Sequence, residues 1–171
     1  MSAFPLTRRA ALEALGALVL PSFAFPALAQ APLRIRAIKV DVSPIRASMG
    51  DPTAAWVEEA LPGALAQSLA RYMAPGDRNG ATLVARIDYL YLGPGGGATG
   101  GFGFRRTQDT INGTLLVKSP RGGVVAKAPL RAISTYFPMA VDQALVERAL
   151  QGRVVALAQA FAGWAPRQLG L

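Results

Sequence analysis

The chain of 171 residues contains neither cysteine nor histidine. Without thiols there is no disulfide framework, no thiolate metal centre, no cysteine nucleophile and no cysteine to carry a lipid anchor. Without imidazole the commonest general base and a common zinc ligand are missing, so any chemistry would fall to carboxylates, Lys, Tyr, Ser and Thr. Both absences argue against a hydrolase or metalloenzyme, and neither a cofactor nor a metal is expected. Acidic residues are also scarce, 10 Asp and Glu against 18 Lys and Arg, for a net charge of +8. Such a balance keeps a protein soluble, and it favours anionic partners such as lipid head groups, glycolipid phosphates or acidic polymers.

Part of the apolar content belongs to the first 29 residues. Arg8 and Arg9 form a basic start, LGALVL an apolar run, Pro21 a helix breaker, and Ala27-Leu28-Ala29 a small-x-small cleavage site. The apolar run is well short of the ~20 residues that span a bilayer, so residues 1–29 read as a signal peptide cut before about Gln30. Thr7, Arg8, Arg9 and Leu12 match the twin-arginine export pattern, whereas Ala11 and Glu13 depart from it. Twin-arginine and general secretory routes both stay open, and both end in the bacterial periplasm or beyond.

Residues 30–171 are expected to form one domain. Its centre is a pair of alternating runs, ATLVARIDYLYL and DTINGTLLVK, joined by a glycine-rich loop at 93–108. Alternation is the mark of half-buried strands. In the first run Leu83, Ala85, Ile87, Tyr89 and Tyr91 share a face, and the two tyrosines are expected to pack under a helix. In the second, Ile111, Gly113, Leu115 and Val117 share one. An earlier strand places Ile38, Val40 and Val42 on one face with Lys39 and Asp41 on the other; Leu33 and Ile35 are out of phase with that set, which predicts a bulge near Ala37 or a later strand start. A later strand, from Val124, contains Pro129, which cannot donate to a ladder and so marks a sheet edge or a bulge.

Two helices complete the pattern. Asp51 reads as an N-cap with Pro52 at the first helical position; Val57, Leu61, Leu65 and Leu69 form the apolar face, and Pro62-Gly63 predicts a kink or break near Leu61. The second helix is expected over 138–164, with Val146, Leu150, Val154, Leu157, Phe161 and Trp164 as its core stripe and Pro166 as its end. The fold class is therefore α+β: a β-α-β-β-β-α order, with a mainly antiparallel sheet and both helices on one face.

This order, an exported leader, and an opening strand followed by a Trp-bearing helix (VDVS, then AAWVEEALPGAL) resemble small bacterial envelope proteins of the LptE, TolB N-terminal and CsgG-like types. The resemblance implies a non-enzymatic binding or scaffold role in a membrane or outer-membrane assembly. LptE and CsgG are anchored through a lipidated cysteine, which this chain lacks.

The glycine-rich loop has no Gly-Lys-Ser/Thr and leads to a strand rather than a helix, so it is not a phosphate-binding P-loop. Gly101-Phe102-Gly103-Phe104 matches the RNA-recognition-motif signature only in part: Gly100 replaces its basic residue and Arg105 its aliphatic one, and the fold's final strand is missing. Nucleic acid is excluded on that basis. Phe102 and Phe104 beside Arg105 and Arg106 are the candidate contact site for an envelope protein partner or an anionic lipid or glycolipid surface. Two alternatives stand. A small ligand captured between sheet and helices would need a pocket lined by Tyr89, Tyr91 or Trp56. A carboxylate-dependent cell-wall enzyme would need two of Asp41, Glu58, Glu59, Asp88, Asp109, Asp142 and Glu147 to converge at ~5–9.5 Å. Within that set, Glu58 and Glu59 read as solvated surface, and the pairs Arg86–Asp88 and Lys39–Asp41 as ion pairing.

Overall fold

The computed structural model describes residues 33–93, 107–136 and 143–171. The expected signal peptide, with Arg8, Arg9, Ala27 and Ala29, and the candidate contact residues Phe102, Phe104, Arg105 and Arg106 lie outside the described residues, as does Asp142.

The elements are β1 (Ile35–Asp41), α1 (Ser43–Met49), α2 (Thr53–Ser68), a 3-10 turn (Ala70–Tyr72), β2 (Ala81–Tyr91), β3 (Thr107–Lys118), β4 (Val124–Tyr136) and α3 (Gln143–Gln168). They form a single α+β arrangement with a four-stranded sheet in the order β1-β2-β3-β4. The first pair is parallel and the other two antiparallel. Parallel pairing follows from the helical crossover between β1 and β2, which returns the chain to the same end of the sheet. The expected bulge in β1 is present, its register shifting between Ile35 and Ala37. Pro129 lies in β4, an edge strand.

The short helix α1 is absent from the sequence-based order. Asp41 starts it: its Oδ1 accepts the Ser43 amide at 3.1 Å and the Ser43 hydroxyl at 2.7 Å. Pro44 sits in the first turn, where a missing N–H costs nothing, and Ile45 is fully buried. Gly50, at φ 71°, closes the helix in a conformation that disfavours other residues.

Asp51 is not the N-cap of α2. That helix begins at Thr53 without a side-chain cap, and the Asp51 carboxylate faces Arg46 instead, at 3.3 Å. Val57, Leu61, Leu65 and Leu69 turn inward as predicted, and Ala54 is buried with them. The break at Pro62 does not occur. One intrahelical hydrogen bond is lost there, but Leu61 and Leu65 are buried on either side, and their packing holds the helix continuous.

Helix α3 likewise runs past Pro166 to Gln168. Its buried stripe comprises Val154, Leu157, Ala158, Phe161, Ala162 and Ala165. Val146 and Trp164, expected in the stripe, are 42% and 47% exposed. At 100° per residue both fall roughly 90° from its centre. Arg167 lies over the outward Trp164 ring, 5.6 Å from the centroid. Three alanines in the buried stripe let α3 approach the sheet closely.

Where it does so, β2 changes phase. Ile87 pairs with Gly113 but Tyr89 with Asn112, so Asp88 is an extra residue in the ladder, a β-bulge. Before it, Leu83, Ala85 and Ile87 point inward; after it, Leu90 does. A one-residue shift moves every later side chain to the opposite face. Tyr89 and Tyr91 therefore point away from the helices, 49% and 45% exposed, and do not pack beneath one. Gly113 permits the arrangement: a methyl group there would lie 2.5 Å from the Arg86 carbonyl oxygen, 3.0 Å from Ile87 Cδ1 and 3.3 Å from Phe161 Cζ.

Gly113→Ala is expected to lower stability by about 1–3 kcal/mol through overpacking. Gly63→Ala, at a helical position where an added methyl meets nothing within 4 Å, should raise it by about 0.5–1 kcal/mol. Urea unfolding of the two variants, followed by circular dichroism, checks both signs.

Candidate functional site

The helices cover one face of the sheet; among the described residues nothing covers the other. Register reads off that open face row by row. Near the ends of β2 and β3 that bound the 94–106 segment, Tyr91, Thr110 and Ile133 form one row, and Tyr89, Asn112 and Arg131 the next. Further along come Arg86, Thr114 and Pro129, then Val84, Leu116 and Lys127. Ile133 is 47% exposed, like the two tyrosines. Three large apolar or aromatic side chains thus stand beside Arg131 at one end of the face. The Asn112 side-chain oxygen among them is shielded from solvent and has no hydrogen-bond partner among the described residues.

Charge on the face is asymmetric. Lys39, Arg86, Lys118, Lys127 and Arg131 occupy outward register positions, against Asp41 and Asp88. Asp88 is taken up by Arg86 at 2.9 Å along the strand and accepts a long hydrogen bond from Thr114 at 3.4 Å. Asp41 is held by Ser43 rather than paired to Lys39. The Ser43 hydroxyl and amide keep its carboxyl below the ordinary value of 3.8, and Arg86 and Lys118 add a smaller pull in the same direction. The remaining cations leave a net positive surface around the aromatic patch.

The other candidate carboxylates are dispersed. Glu58 accepts from Arg46 at 2.7 Å on the helical side. Glu59 and Glu147 are exposed. No group of three His, Cys, Asp or Glu side chains that could hold a metal occurs among the described residues. Trp56 lies on α2, on the opposite side of the sheet from Tyr89 and Tyr91, so the three aromatic residues do not line one pocket.

Asp109 has a role that sequence reasoning missed. It is 1% exposed and faces Arg153 of α3, itself 5% exposed. The Arg153 Nε donates to Asp109 Oδ2 at 2.8 Å and its Nη2 donates to Oδ1, a two-point charge-assisted pair. The same Nη2 donates to the Gly93 carbonyl at 2.7 Å, and the Gly93 amide donates to Asp109 Oδ1 at 2.9 Å. Gly93 and Asp109 lie close to the two sides of the 94–106 segment. One guanidinium thus ties Gly93 and Asp109, which flank that segment, to the helix behind the sheet.

No helix among the described residues is long and apolar enough to cross a membrane. Neither a protein-family model nor a curated protein matches the chain. Solved structures with a similar chain path include a candidate lipoprotein from Caulobacter crescentus CB15, at 14% identity and TM-score 0.47 over 78% of this chain and 86% of that one. A minor lipoprotein from Acinetobacter baumannii is 13% identical, with TM-score 0.43 over 80% and 92% of the two chains. A protein from Xanthomonas campestris is 15% identical, with TM-score 0.45 over 85% and 90%.

Arg153→Met, which leaves Asp109 buried without its cation, is expected to cost about 3–5 kcal/mol in urea unfolding. Adding Asp109→Leu should recover much of that loss but leave about 1–3 kcal/mol, because the Gly93 amide and carbonyl stay unpaired. For Asp41 the sign follows from its depressed folded-state value: the carboxylate stabilises the fold above the unfolded value and that contribution disappears as pH falls through the folded one. In Ser43→Ala the Asp41 carboxyl should titrate closer to 3.8, and acid unfolding should start at a higher pH, as measured by side-chain NMR and circular dichroism.

Proposed function

We propose that the chain is an exported, non-enzymatic domain of the bacterial cell envelope. It engages an anionic, amphipathic surface through the open face of its sheet, within a membrane or outer-membrane assembly of the LptE or CsgG kind. The observation that carries this reading is the exposed group Tyr89, Tyr91 and Ile133 set beside Arg131 on a face where cations outnumber carboxylates. Tyrosine suits a boundary between apolar and polar phases, having an apolar ring and a polar tip. Each Lys or Arg brought to an anionic surface contributes roughly 1 kcal/mol. The loop residues Phe102, Phe104, Arg105 and Arg106 adjoin this end of the sheet in sequence and share its chemistry.

A non-enzymatic role agrees with the same residues. Asp41, Glu58, Asp88 and Asp109 are each committed to a hydroxyl or a guanidinium, and there is no imidazole or thiol to supply another nucleophile or base. The basic, apolar open face also suits an acidic segment of an envelope protein, which crosslinking in intact envelopes would detect.

The test is co-sedimentation with vesicles of phosphatidylcholine alone or mixed with phosphatidylglycerol, and with lipopolysaccharide. Binding is expected only to the anionic preparations, weakening as salt rises. Arg131→Glu, or Tyr89→Ser with Tyr91→Ser, should reduce it about tenfold or more. A protein that stays in the supernatant with every preparation at low salt would sink the lipid reading.

A further inference from the structure

The seam between α2 and α3 is not closed along its length. The row Trp56, Ala60, Ala64 on α2 faces the row Gln151, Val155, Gln159 on α3 across a hollow of about 330 Å³, with Glu59 and Gln67 also lining it. Each row follows the i, i+4 spacing that places side chains on one strip of a helix. The hollow exists because its floor is small: Ala60, Ala64 and Val155 do not reach across, and a leucine at 60 or 64 would fill it.

Its lining is unlike the rest of the surface. In a chain of net charge +8 it contains no cation, and its single charge is Glu59. An anionic head group would find no counter-charge there. Three primary amides, Gln67, Gln151 and Gln159, each offer donors and an acceptor, and none of them has a hydrogen-bond partner among the described residues. All three are exposed, so they present their amides at the rim of the hollow, where a ligand bearing hydroxyls can exchange hydrogen bonds with them. Trp56 packs partly on the core and contributes an apolar ring to the hollow. A ligand matching all three features has an apolar face to lie against an indole, hydroxyls at its edge that both donate and accept, and no negative charge.

We propose that this groove is a binding site for an uncharged saccharide, with a sugar ring stacked on Trp56 and its hydroxyls bridged by Gln67, Gln151, Gln159 and the Glu59 carboxylate. The hollow lies at the low end of the ~300–1,000 Å³ typical of small-molecule sites, so it holds a short stretch and leaves the rest of a longer glycan outside. The site belongs to the helical layer and involves no residue of the open sheet face. It therefore stands or falls separately from the lipid reading.

The chain contains two tryptophans, so Trp164→Phe leaves Trp56 as the sole indole and serves as the reporter background. That protein is titrated with N-acetylglucosamine oligomers, maltohexaose and cellohexaose, following indole emission and, in parallel, heat. At least one series is expected to shift the Trp56 emission with a dissociation constant of ~0.1–1 mM. Ala64→Leu, with circular dichroism and a melting curve confirming its fold, should weaken binding about tenfold or more. Trp56→Ala in the natural background should do the same by calorimetry, whereas Arg131→Glu should leave it unchanged. No response to any of the three series up to ~10 mM overturns the proposal. So does a response that persists undiminished in Ala64→Leu and Trp56→Ala, and so does sedimentation showing that the groove is closed by a second copy of the chain.

Discussion

The contact on which most of the architecture depends is the approach of Phe161 to Gly113, beside the carbonyl of Arg86. It sets how near α3 comes to the sheet, and it allows no side chain at the centre of β3. The bulge at Asp88 lies against the same point. Had β2 kept its phase, Tyr89 and Tyr91 would have pointed into the space that α3 occupies. With the extra residue, Leu90 goes inward and the aromatic side chains go out. The packing of one helix and the chemistry of the far face are thus parts of one solution, joined by a single extra residue.

The result is a sheet with two unlike sides. One carries the apolar residues and the helices, and under the helices it holds the buried charge pair of Arg153 and Asp109. Arg153 and Asp109 gain from multiple hydrogen bonds what they lose by leaving water, since the guanidinium also takes the Gly93 carbonyl and the carboxylate also takes the Gly93 amide. The other side keeps most of its cations outward. The helical layer adds a third surface, where Glu59 and three amides line a shallow hollow and basic residues are absent. A chain with an overall positive charge thus keeps three surfaces of unlike composition.

Much of the fold was legible in the order of residues. The inward faces of β1 and α2 follow from spacing, while phase and proline narrowed the β1 irregularity and the position of β4 to two readings each, of which the structure takes the bulge and the edge. Local signals failed where tertiary packing outweighed them. Pro62 and Pro166 are helix breakers in isolation, but each removes only one hydrogen bond from a helix held by buried neighbours. Helix α1 was hidden because its start depends on the Asp41 side chain meeting Ser43, in a stretch that reads as the end of a strand. The site was harder to see. A period-2 reading of β2 cannot register a bulge, so it assigned both tyrosines to the wrong face. No spacing rule joins Arg153 to Asp109 across 44 positions. The one available hint was a charged residue set within an otherwise apolar helical stripe.

The free margin of β4 has a consequence for how the molecule keeps its own company. Thirteen residues of extended backbone end the sheet there, and among the described residues no further strand pairs with them. An exposed margin of that length is a template for fibre growth. Here Pro129 removes a donor midway along it, Lys127 and Arg131 place like charge on either side of the proline, and the register shift beside Val125 disturbs the strand near its start. An identical strand arriving from another copy would meet a missing hydrogen bond and matching positive charges, both of which oppose the joining of one sheet margin to another.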